Sequence, residues 1–202
     1  MRWLLIVLFV ACNGASKPAK TEPAKPAAPA AAAATTWPVP PGWRSETIPF
    51  PLDFAPTIAH TGAEELRFPK GFFDPASPEY WSYAFTWRTT DEAKLDAAAL
   101  ASELTLYFQG LIAAVDAKKQ ISEADRKTIV ARAEAAGTRF TVTAHVFDAF
   151  KTAQPIDLTG WAERLPCKTG ALWIFVLAPE KTSLRAQLDE LATAARSTCD
   201  RG

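Results

Sequence analysis

The chain has 202 residues, enough for one domain and extra segments, with 49% hydrophobic and 22% charged residues, an ordinary globular balance. Lys plus Arg and Asp plus Glu both number 22, so the formal net charge is zero. A balanced charge gives no ground for nucleic acid or an acidic polymer as partner. Seven tryptophans against one methionine point to a rigid aromatic core rather than an adaptable Met-rich groove.

In chain order, Met1 and Arg2 make a minimal positive start, and Trp3 to Ala11 is an unbroken apolar run, too short to span a bilayer and of the length of a signal-peptide core. Cys12 follows directly. The string Leu8-Phe9-Val10-Ala11-Cys12 resembles the lipobox of bacterial lipoproteins, with an apolar residue at minus three, a small residue before the cleaved bond and then cysteine. Phe9 stands where leucine is usual. The resemblance implies a signal peptide over residues 1–11, lipidation of the Cys12 thiol and a membrane anchor. Asn13, where aspartate would favour retention at the inner membrane, points to the outer membrane, with the domain facing the periplasm or the cell surface. Acyl chains contribute about 0.8 kcal/mol per buried methylene, so several anchor a protein stably.

Residues 12–36 continue as a Pro/Ala-rich stretch with scattered Lys and Glu and nothing from which to build a core. It is read as a disordered linker with a reach on the order of 60–70 Å. From Trp37 the composition changes, and residues 37–202 are read as one globular domain.

Within the domain, residues 43–50 and 63–68 are candidate strands, followed by a turn-rich loop over 69–79. Residues 80–88 (YWSYAFTWR) alternate strictly, with Trp81, Tyr83, Phe85 and Trp87 on one face. Their natural cover is the next segment, 93–117, where Leu100, Leu104, Tyr107, Leu111 and Val115 recur at helical spacing. The tract Leu106 to Gly110 (LYFQG) continues that pattern and reads as native helix. A second helix is expected from Ser122, capped with Asp125, to a stop at Gly137. Residues 138–150 alternate again, 156–165 form a further strand, and 171–178 (ALWIFVLA), apolar on both faces, reads as a central strand. A last helix begins near Ser183 with Leu184, Leu188, Leu191, Ala195 and Cys199 on one face.

This order predicts an α+β domain with a mostly antiparallel sheet and about three helices. In element order and length it resembles the PsbP/Mog1-like α/β/α sandwiches. The stretch from Gly42 to Trp87, with IPFPLDFAP and EELRFPKGFFDP, is similar to uncharacterised bacterial secreted or lipid-anchored proteins, and that similarity carries no activity.

Cys167 and Cys199 are read as a disulfide stapling the last helix to the sheet, the alternative being two buried thiols. Two histidines, with no CxxC and no HExxH, make no metal site, and no cofactor is implied. His145 is followed by Asp148, but residues i and i+3 of a strand face opposite ways. Ser82 lacks the glycines of a nucleophile elbow. Glu64 and Glu65, being adjacent, should project to opposite sides, as a salt-bridge partner and a surface charge.

Three functions compete. The first is a non-catalytic, lipid-anchored binding or assembly module for an envelope protein partner. Its candidate surface is a polar sheet face of Arg88, Arg139, Thr141, Thr143 and His145, with Ser82, Thr86 and the aromatic loop from Phe72 to Trp81 beside it. The second is an envelope hydrolase using His145, which requires a carboxylate or hydroxyl beside it in a cleft. The third is a carrier of a small apolar ligand, which requires a cavity beside Trp81, Tyr83, Phe85 and Trp87 where a plain core would be close-packed.

Overall fold

The structure, a computed structural model, describes residues 36–91 and 94–200. The expected signal peptide, Cys12 and nearly all of the linker lie outside the described residues. The fold is α+β: a seven-stranded antiparallel sheet with three helices.

Two meanders build the sheet. The first is β1 (Arg44–Pro49), β2 (Gly62–Phe68) and β3 (Tyr83–Thr89). After α1 (Ala97–Val115) and the short α2 (Glu123–Arg126) comes the second: β4 (Val130–Ala136), β5 (Arg139–Phe147), β6 (Pro155–Pro166) and β7 (Ala171–Ala178). β7 pairs with β3, giving the order β1-β2-β3-β7-β6-β5-β4, and α3 (Arg185–Arg196) ends the fold. The central place of β7 follows from its composition, because every one of its residues is buried.

The two faces of the sheet carry different cores. On one, Tyr83, Phe85 and Trp87 of β3 and Trp173, Phe175 and Leu177 of β7 pack under α1. Phe85 stacks between Phe175 at 4.4 Å and Tyr107 of α1 at 5.5 Å. On the other, Leu172, Ile174 and Val176 pack with Leu188, Leu191 and Ala195 of α3. Trp37 lies in this second core, its indole N–H donating to the Leu191 carbonyl at 3.0 Å while the Arg67 guanidinium lies 4.4 Å over its ring.

By length and composition α1 is, among the described residues, the one helix that could cross a membrane. In this fold Leu100, Leu104, Tyr107, Phe108 and Ile112 are buried in the first core. The helix also closes a sheet edge. Thr105 Oγ1 accepts from the Ala131 N–H at 2.9 Å, and the Gln109 amide donates to the Ile129 carbonyl at 3.1 Å. Edge groups that would otherwise await another chain are thereby occupied.

One expected element is corrected. Residues 122–137 are not one helix. Ser122 caps as expected, its Oγ accepting from the Asp125 N–H at 3.0 Å, but the helix lasts four residues. Residues 130–136 form β4, and Gly137, with φ +65°, opens the turn into β5 instead of stopping a helix. Ala and Glu favour helix, but pairing of the whole of β4 with β5 and burial of Ala131 outweigh that local preference. A smaller difference concerns Trp81. It precedes β3 in a turn with φ +50°, yet its ring still joins the first core between Phe72 and Phe150.

Candidate ligand cavity

The first core is not filled throughout. A cavity of about 210 Å³ lies over the β1–β3 end of the sheet. Its buried lining is aromatic: Phe68, Phe72, Trp81, Tyr83 and Tyr107. Half-exposed side chains, among them Ile48, Phe54, Phe73, Leu111 and Phe150, complete it, and the exposed Glu46 of edge strand β1 stands at its rim. The segment before β2, the 3-10 turn Lys70–Phe73 and the C-terminal half of α1 thus meet over the sheet. Close approach of the first of these to α1 is permitted by Gly110, where a Cβ would lie 2.0 Å from the Phe54 carbonyl oxygen.

Polar groups sit at this end of the core. Glu64 is fully buried and accepts from the Trp87 indole N–H at 3.3 Å. Burial pushes its carboxyl up to about 8, against the opposing hydrogen bonds from Tyr107 and Trp87. Its second oxygen, Oε2, has no partner among the described residues, and neither has the hydroxyl of Tyr83. Burial, and then the Glu64 charge, hold both the Tyr83 and Tyr107 hydroxyls well above the usual phenol range.

Behind Trp87 stands His60, 7% exposed, with its ring edge-on to Phe50. Nε2 lies 2.9 Å from Glu103 Oε2 of α1, and Nδ1 lies 3.5 Å from Asp91 Oδ1. The hydrogen bond to Glu103 raises its pKa, against burial, with further help from Asp91. Two carboxylates on the two nitrogens suit an imidazolium, which ties the segment before β2 to α1.

Glu64 and Glu65 project to opposite sides of β2, as their adjacency requires. The expected roles need correction, however. Glu65 lies 3.7 Å from Arg67, whereas Glu64 is a core carboxyl and no surface charge. The signal was present: Glu64 shares parity with Leu66 and Phe68, both packed in the first core. His60 had no such signal, since its carboxylates come from distant segments.

The expected polar surface exists in part. Arg139, Thr141, Thr143 and His145 share a face of β5, opposite Glu163, Trp161, Thr159 and Asp157 of β6. α3 packs on β7 and β3, and Thr141, Thr143 and Asp157 are exposed. Arg139 lies 4.1 Å over the Trp161 ring, and the Trp161 N–H donates to Asp189 at 3.0 Å. Arg88 does not belong to this surface: it is half-buried and donates to Thr198 Oγ1 at 2.6 Å. Ser82 and Thr86 are buried, and Phe72 and Trp81 belong to the opposite face.

His145 has a carboxylate, though not Asp148. Its Nδ1 is 2.8 Å from Oδ1 of Asp157, its cross-strand neighbour, on an open face where Asp157 is 81% exposed. Asp148 is buried on the other side and accepts from Trp81 and from backbone N–H groups of its own loop. The sulfurs of Cys167 and Cys199 are 2.02 Å apart, at disulfide distance. Among the described residues no three His, Cys, Asp or Glu side chains are grouped to hold a metal ion.

Comparison with protein-family models, with curated proteins and with solved structures finds no match to this chain.

Proposed function

We propose that this chain is a lipid-anchored envelope protein whose domain binds a small apolar ligand between its sheet and α1. The cavity carries the reading. Natural cores are packed nearly as tightly as organic crystals, and an engineered apolar void of roughly 150 Å³ stays dry and takes up benzene. A space of about 210 Å³ lined mainly by aromatic rings fits one or two rings or a short acyl group. Binding of toluene to the full-length chain tests it. Saturable binding that Leu111→Trp abolishes, by filling the cavity, supports the proposal; no saturable binding refutes it.

The anchor in this proposal is Cys12 and its lipobox-like context, with residues 13–36 as tether. Cys12→Ser should move the protein from the membrane fraction to the soluble one. Retention in the membrane would remove the anchor from the proposal and leave the cavity untouched.

The hydrolase reading has its carboxylate in Asp157, but on an open strand face with both partners reaching solvent. Acid–base chemistry gains from a site that excludes water, so the pair is read as a cross-strand ion pair.

A further inference from the structure

We propose that β1 is an interface with a second copy of this chain, the two β1 strands pairing antiparallel about a two-fold axis at Ser45. The sheet ends in β1 and β4, and the fold treats these edges differently. At β4, α1 occupies edge groups through Thr105 and Gln109. β1 has no such cover, and every residue of it but Ile48 is exposed. The Phe50 N–H donates to the Gly62 carbonyl at 3.0 Å, so by antiparallel alternation Arg44, Glu46 and Ile48 turn their backbone groups to β2. Ser45 and Thr47 turn theirs outward, where nothing among the described residues bonds to them. An edge of this kind is a template for another strand.

Charge selects the partner and the register. Arg44 and Glu46 share one face of β1: Arg44 lies 5.7 Å over the Phe73 ring, and Glu46 stands at the cavity rim. With Ser45 opposite Ser45, Arg44 of each copy faces Glu46 of the other in the closely spaced, non-hydrogen-bonded position. The neighbouring registers that keep the outward groups of both strands in contact set Arg44 against Arg44 or Glu46 against Glu46, and like charges directly opposite destabilise a pair. Charges on an edge ordinarily keep strands apart. These repel in the neighbouring registers and attract in one. In that register each Ser45 N–H donates to the Ser45 carbonyl across the axis, and the Thr47 N–H reaches the Trp43 carbonyl of the second copy. The N–H of Trp43 is already held by the Pro40 carbonyl at 3.0 Å. The axis passes through the sheet and keeps like faces on the same side. Trp37, at the end of the linker, is buried on the α3 side, so two copies anchored as proposed above have their linkers on one side.

Sedimentation velocity of the full-length chain tests the proposal, with Cys12→Ser so that neither a lipid nor a free thiol joins copies. Between about 10 μM and about 1 mM, monomer should give way to dimer as concentration rises. Arg44 and Glu46 are both exposed, so substituting them leaves the fold intact. Arg44→Glu and Glu46→Arg should each lose the dimer. An equimolar mixture of these two variants should regain it, because every pair across the axis is then Glu with Arg. The double variant Arg44→Glu/Glu46→Arg should regain it alone. A chain that stays monomeric throughout overturns the proposal. So does a dimer that either single substitution leaves intact, or a mixture that fails to associate.

Discussion

The Trp87 indole donates a hydrogen bond to Glu64 across 3.3 Å in a part of the core where neither side chain reaches water. An aromatic core with a carboxyl inside it has a definite pH signature. Burial pushes Glu64 from 4.5 to about 8, so the folded state keeps a proton that the unfolded state releases. Stability should therefore fall as pH rises from about 4.5 to about 8, by at most about 1.4 kcal/mol per pH unit. Denaturant melts at pH 5 and pH 8 measure the slope. Glu64→Gln should flatten it, and an unchanged slope in the variant would locate the pH dependence elsewhere.

His60 makes a second prediction with the same sign. Its pKa is raised above 6.5 by Glu103, so its contribution is fully present below the unfolded value of about 6.5 and disappears as pH climbs through the folded value. With two histidines in the chain, the His60 imidazole signal is assigned by removing His145. NMR titration should find it protonated above pH 6.5, and Glu103→Gln should bring the midpoint down. A midpoint unmoved by that substitution would mean that the 2.9 Å contact does not set the charge.

Gly110 gives a test by contrast. In an ordinary helix interior, Gly to Ala adds stability of roughly 0.8–1.0 kcal/mol. Here the added Cβ would meet the Phe54 carbonyl at 2.0 Å, and overpacking of this kind costs about 1–3 kcal/mol. Gly110→Ala should lower the melting temperature; a rise would show that residues near Phe54 can withdraw from α1 freely.

Cys167 and Cys199 close a loop of 32 residues around β7 and α3. In the chain-entropy account such a cross-link contributes roughly 3–4 kcal/mol. Cys199→Ser should lose about that much in a denaturant melt under oxidising conditions, and reduction of the wild type should lose a similar amount. Equal stability of the oxidised and reduced protein would rule out that contribution.

Elements with strong periodicity were legible from the chain. Parity in residues 80–88 and the apolar run at 171–178 located β3 and β7 and assigned their buried faces, because burial on a sheet is written as a period of two. Helix α1 was legible for the matching reason, since Leu100, Leu104 and Tyr107 repeat at helical spacing and are buried. Residues 130–136 misled because their Ala and Glu content favours helix while their pairing with β5 is a tertiary matter. The sequence supports the cavity only as a requirement of one function and does not locate it. Its lining joins β1, the turn at 70–73, Phe150 and the end of α1, which no local pattern connects. Glu64 could have been found from its parity, whereas His60 could not, because carboxylates far along the chain make its site.

The proposed function requires the space beneath α1 to receive a small apolar molecule. The most direct measurement is an NMR experiment on the full-length chain saturated with toluene, observing magnetisation transfer from the ligand's protons to protein rings. Transfer is expected to Phe72, Trp81 and Tyr83, the buried rings of the cavity. Transfer confined to exposed side chains, or no saturable effect at all, would contradict it.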